Sequence, residues 1–118
     1  VAGSTLLGGS RWPESPADLR KKATVALDRA YRPAGFIRQY AAIIAAHDRS
    51  GRLRELAIPS AVIHGTEDPL VRVEAGRDTA GCISGCELVE IEGMGHTIPP
   101  GLEEQIADTI DRTASRAR

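Results

Sequence analysis

Two residues of this 118-residue sequence could do chemistry together. Asp68 lies just beyond the apolar run Ser60-Ala61-Val62-Ile63-His64, which Gly65 ends, and His96 lies just beyond Leu88, Val89 and Ile91. A carboxylate that accepts one imidazole N–H fixes the ring's tautomer and leaves the other nitrogen to take a proton from a nucleophile. Taken singly the residues are ordinary, since an aspartate in a loop is most often a turn or cap residue. Joint placement carries the information. If both runs are neighbouring parallel strands, the loops leaving their C-terminal ends open on one sheet edge, where open α/β folds build their sites. The two side chains should then stand within a hydrogen bond, roughly 2.6 to 3.2 Å, or one bridging water.

The elements that must position this pair can be read from the pattern. Ser15-Pro16-Ala17-Asp18 supplies an N-cap, a proline at the first helical position and a carboxylate in the first turn, so a helix should start there. Leu19, Ala23, Ala26, Leu27 and Ala30 give it an apolar stripe, and it should end near Arg32-Pro33. A second helix is expected over about 34–47, with Phe36, Tyr40, Ile43, Ile44 and His47 on one face, apolar enough to be well covered. Ser50-Gly51 should stop it, and 52–55 should be a polar connection. A strand over 60–64, a loop over 66–72, a helix over 73–83 and a strand over 86–91 make a parallel βαβ unit with a right-handed crossover. Gly76 and Gly81 weaken that helix. Leu102, Ile106, Thr109 and Ile110 mark a last amphipathic helix, with the tail frayed from Ala114, and residues 1–14 read as loop. Two parallel strands alone leave both edges open, so something outside this sequence, or a second copy, should complete the sheet.

Composition excludes several classes. Fifteen Lys and Arg against sixteen Asp and Glu give a net charge of -1, so no global field draws nucleic acid or an anionic membrane. Aromatics at 3% argue against a base-stacking platform. No apolar run approaches the ~20 residues of a membrane span, and no leader pattern is present, so a soluble, cytoplasmic setting is expected. Cys82 and Cys86 fit neither the C-x-x-C redox spacing nor a four-ligand zinc pattern, and read as free, partly buried thiols.

The stretch Ile58-Pro59-Ser60-Ala61-Val62-Ile63-His64-Gly65-Thr66-Glu67-Asp68-Pro69-Leu70-Val71, followed by Gly93-Met94-Gly95-His96, resembles the closing section of the α/β-hydrolase family. The family's triad runs Ser, then Asp or Glu, then His. The resemblance therefore implies Asp68 as acid and His96 as base. Tyr31 to Tyr40 and Asp48-Arg49 are similar to the cap-to-core region of esterase-like members, including aclacinomycin methylesterase-type enzymes. It implies a partial three-layer αβα fold, with cap-region helices and their connection in 1–50 and the C-terminal core with the last two strands in 51–118. Arg72 stands where the family usually has proline, which alters the loop's exit and leaves the acid in place. No Gly-x-Ser-x-Gly elbow occurs: Gly3-Ser4 and Gly8-Gly9-Ser10 lack the spacing and the preceding buried strand.

The expected activity is hydrolysis of a small carboxylic ester, without metal or organic cofactor, with the nucleophile outside this sequence and the chain inactive alone. Its partner would be the remaining N-terminal part of the hydrolase or another copy. An aspartate nucleophile on the same scaffold would give an epoxide hydrolase or dehalogenase, another acyl target a peptidase, and a noncatalytic self-associating module is the rival from a different class. Trp12, Leu70 and Met94 are weak candidates for an apolar substrate pocket, against plain packing. His64 reads as a packed, hydrogen-bonded strand residue and not a zinc ligand with Asp68 and His96, and His47 as a group at a helix C-terminus. Lys21 and Lys22 read as a solvated helix face, and Gly93 and Gly95 as residues that let the histidine loop turn.

Overall fold

A computed structural model describes residues 7–117. Among them are five helices, α1 (Pro16–Arg29), α2 (Pro33–Ala45), α3 (Ser50–Arg54), α4 (Val73–Cys82) and α5 (Glu103–Ser115), and two strands, β1 (Ala61–Gly65) and β2 (Glu87–Ile91). Ser4 and the first residues of the expected N-terminal loop lie outside the described residues. The strands pair in parallel, with Ala61 opposite Glu87 and Gly65 opposite Ile91. This is a mixed α/β arrangement built on a small two-strand parallel sheet.

Strand pleating explains how two helices use the sheet. Successive side chains point to opposite faces, so Ile63 and His64 face different neighbours. Ile63 and Val89 pack on a cluster of Ile91, Met94 and Leu102, joined by Ile106 of α5 and by Trp12. On the other face the ring of His64 lies against Gly76 of α4, and Arg77 of α4 grips Glu90 through two parallel bonds of 2.6 and 2.8 Å. α4 and α5 thus cover opposite faces, while α3 packs against α4.

Several expectations need correction. Ser15 caps α1 as anticipated, its hydroxyl accepting from the Asp18 N–H, but of the expected stripe only Leu19 is buried. The face of α2 is open: Phe36, Ile37, Tyr40, Ile43 and Ile44 are each at least 58% exposed, because no described element covers it. His47 lies beyond the end of α2, which stops at Ala45. Ser50-Gly51 opens a helix instead of stopping one, since the Asp48 carboxylate accepts from both the Ser50 N–H and its hydroxyl. The tail is tied down as well: α5 runs to Ser115, and the Arg116 guanidinium donates to the carbonyls of Gly85 and Ser60. No described helix is long and apolar enough to cross a membrane.

Candidate functional site

β1 and β2 end side by side, and the loops that leave them are sewn together by their own backbones. Thr66 N–H donates to the Ile91 carbonyl at 3.1 Å and Glu67 N–H to the Met94 carbonyl at 3.0 Å. The Thr66 hydroxyl accepts from Gly93 N–H at 3.0 Å. Gly65 is required for this closeness, because a Cβ there would stand 2.6 Å from the Met94 carbonyl carbon. Gly93, at φ +76°, takes a turn that side-chain-bearing residues rarely adopt.

A segment from the N-terminal side braces the second loop. The Leu7 carbonyl accepts from His96 N–H at 2.7 Å and Thr97 N–H at 3.2 Å, and the Gly8 carbonyl from Gly95 N–H at 3.2 Å. Arg11 N–H returns a bond to the Gly93 carbonyl at 3.2 Å. Ser10 donates from both its N–H and its hydroxyl to Glu67, each at 2.7 Å. The same segment therefore touches both loops. Sequence reading passed over this brace; its one signal was Gly8-Gly9 at one end and Gly93 and Gly95 at the other, small residues that let two backbones meet.

The structure brings Asp68 and His96 together at that junction, with His96 Nδ1 2.8 Å from Asp68 Oδ2. The other carboxylate oxygen, Oδ1, accepts the N–H groups of Leu70 at 2.8 Å and Val71 at 2.9 Å. A carboxylate only accepts, so Nδ1 carries the hydrogen and the neutral ring has Nε2 unprotonated. The Asp68 side chain is 6% exposed and that of His96 39%. Burial pushes the Asp68 carboxyl upward, but Val71 N–H, His96 and Leu70 N–H together hold it below its ordinary value. It is therefore a fixed anion at neutral pH.

The other candidates scatter. Met94 is buried in the core cluster with Trp12 packed against it, whereas Leu70 stands exposed in the loop beyond Asp68. Met94 thus packs in the core, the plainer of the two readings weighed for it. Trp12 also walls an open groove with Arg11, Lys22, Val25 and Pro100, and the Arg11 guanidinium sits 5.3 Å over its ring. Lys22 is ion-paired with Glu14. His64 Nε2 is 2.8 Å from the Val71 carbonyl and 3.7 Å from Asp68 Oδ2. Among the described residues no three His, Cys, Asp or Glu side chains converge as a metal site. Cys82 and Cys86 are free and half-buried. No protein-family model matches this sequence.

Proposed function

We propose that this chain supplies the acid and base of a serine-type hydrolase acting on carboxylic esters, with the serine and the oxyanion donors contributed from outside this sequence. The hydrogen-bonded pair of a shielded Asp68 and an accessible His96 carries the reading. With Nδ1–H committed to Asp68, Nε2 can accept the proton of a serine hydroxyl as its oxygen bonds to the ester's carbonyl carbon. Asp68, held ionised, stabilises the imidazolium so formed. That proton then passes to the departing alkoxide, which leaves as alcohol, and water repeats the sequence to release the acid. The 118-residue chain by itself should not turn esters over, since loss of the nucleophile alone costs about a millionfold in a serine protease.

Resemblance to the α/β-hydrolases supports the order of acid and base, and the chemistry of the pair supports proton transfer. Either would serve an aspartate nucleophile too, giving epoxide hydrolase or dehalogenase activity, or a peptide as the acyl target. A self-associating module is a second reading, favoured by the uncovered apolar face of α2. The test is the polypeptide read from the gene with the sequence upstream of Val1 included. Turnover of a short-chain nitrophenyl ester, labelling of one serine by a fluorophosphonate, and a fall of about four orders of magnitude in Asp68→Asn are expected. A polypeptide that neither labels nor turns over, yet sediments as a dimer, would favour the module.

A further inference from the structure

His64 has no part in the chemistry above, yet its ring is fixed from two sides. Its Nε2 lies 2.8 Å from the Val71 carbonyl, and because a carbonyl only accepts, Nε2 must carry a hydrogen. At 3.7 Å from Asp68 Oδ2 the same nitrogen is too far for a hydrogen bond to the carboxylate. Val71 is also the residue whose N–H reaches Asp68 Oδ1 at 2.9 Å. One residue is thus held by the histidine through its carbonyl and holds the aspartate through its N–H.

Gly76 supplies an independent observation. Glycine inside a helix costs about 1 kcal/mol relative to alanine, so its presence in α4 calls for a reason. A Cβ there would stand 2.6 Å from His64 Nδ1 and 2.9 Å from Cγ, so the glycine makes room for the ring. The ring is only 12% exposed at its side chain.

We propose that His64 is a positioning residue: its Nε2–H anchors the Val71 carbonyl, so that the loop after β1 aims the Val71 and Leu70 N–H groups at Oδ1 of Asp68 and leaves Oδ2 for His96. The proposal rests on reading Asp68 and His96 as acid and base, but the orientation of the carboxylate can be measured without turnover. Glutamine at position 64 can place an amide nitrogen near the site of Nε2, whereas the shorter asparagine places it near Nδ1, out of reach of Val71.

The experiment compares the 118-residue chain with its His64→Gln, His64→Asn and Gly76→Ala variants by NMR, following the Asp68 carboxyl carbon through an acid titration and the low-field Nδ1 proton of His96. The unsubstituted chain and His64→Gln should share a depressed Asp68 titration and a low-field signal. In His64→Asn and Gly76→Ala, loss of the Val71 N–H should move the Asp68 titration upward and remove the low-field signal. Dispersed amide signals from β2 certify folding, and if His64→Asn fails that check, Gly76→Ala against His64→Gln decides. Wild-type behaviour in both disruptive variants would overturn the proposal. So would a glutamine variant as impaired as asparagine, or no low-field signal in the unsubstituted chain. In the upstream-extended polypeptide, His64→Asn should lower kcat about tenfold or more with KM little changed, and glutamine should restore it. Absence of turnover before any substitution would sink the hydrolase reading alone, because the NMR comparison would still stand.

Discussion

Gly65→Ala tests most directly how the two loops hold the acid and base. The added methyl carbon would stand 2.6 Å from the Met94 carbonyl carbon, with further backbone atoms of Met94 and Gly95 inside 3 Å. Backbone cannot rotate away as a side-chain tip can, so reaching ordinary contact requires the loop to retreat by about 0.8 Å or more. His96 follows Gly95 directly, whereas Asp68 is carried by the loop on the β1 side. If the retreat passes to His96, the 2.8 Å bond to Asp68 opens to about 3.6 Å, beyond hydrogen-bonding range. Overpacking of this kind costs about 1–3 kcal/mol. With a urea dependence of roughly 2 kcal/mol per molar, the unfolding midpoint should drop by about 0.5–1.5 M. Urea unfolding followed by circular dichroism, together with the low-field proton of His96, measures both effects. A variant that keeps its midpoint and its low-field signal would refute the argument that loop contact sets the geometry.

Acid should destabilise the chain in a defined window: Asp68 is held below its unfolded value, so its contribution is complete above about pH 5 and is lost as pH falls through the unfolded and then the folded value. Urea midpoints should fall below about pH 5, and more shallowly in Asp68→Asn than in the unsubstituted chain. Trp12→Ala should cost about 2 kcal/mol, less than a fully buried tryptophan, because the ring is only partly covered by the Ile91, Met94 and Leu102 cluster; thermal unfolding reads it. Glu67→Ala removes both Ser10 bonds, so residues 7–12 should become cleavable by protease while α4 and α5 remain protected; equal cleavage before and after substitution would contradict the brace. A thiol-specific reagent should label both Cys82 and Cys86 in the denatured chain without prior reduction, and labelling that needs a reductant would contradict their free state.

The pair and its supporting strands were legible because each depends on short-range pattern: an apolar run, a glycine, then a polar loop. Strand and helix boundaries shifted by a residue or two, as with β1 at 61–65 against an expected 60–64. What was not legible depends on partners distant in sequence. Periodicity identified the apolar face of α2 but carries no statement of whether anything lies over it. The carbonyls that hold Arg116 come from residues 31 and 56 positions away, so the tail read as frayed. At Ser50-Gly51 the error was local, since a breaker signal was outweighed by the Asp48 side chain bonding to the following turn. Gly76 counted against its helix until the His64 ring explained it.

The brace formed by residues 7–12 also bears on the order in which the molecule assembles. β1, α4 and β2 span 31 residues and can form from nearby chain, whereas the bonds from Leu7 to His96 and Thr97 close a loop of about 90 residues. The longer closure carries about 1 kcal/mol of additional chain entropy, on logarithmic scaling. The βαβ unit should therefore appear first in refolding, and the brace should dock onto a sheet already made. The amides of Gly95, His96 and Thr97 would then gain protection from deuterium later than those of β2, and lose it earlier under mild denaturant. His96 would reach its final place in the last kinetic phase, so that proton-transfer geometry matures only after the sheet has stopped changing.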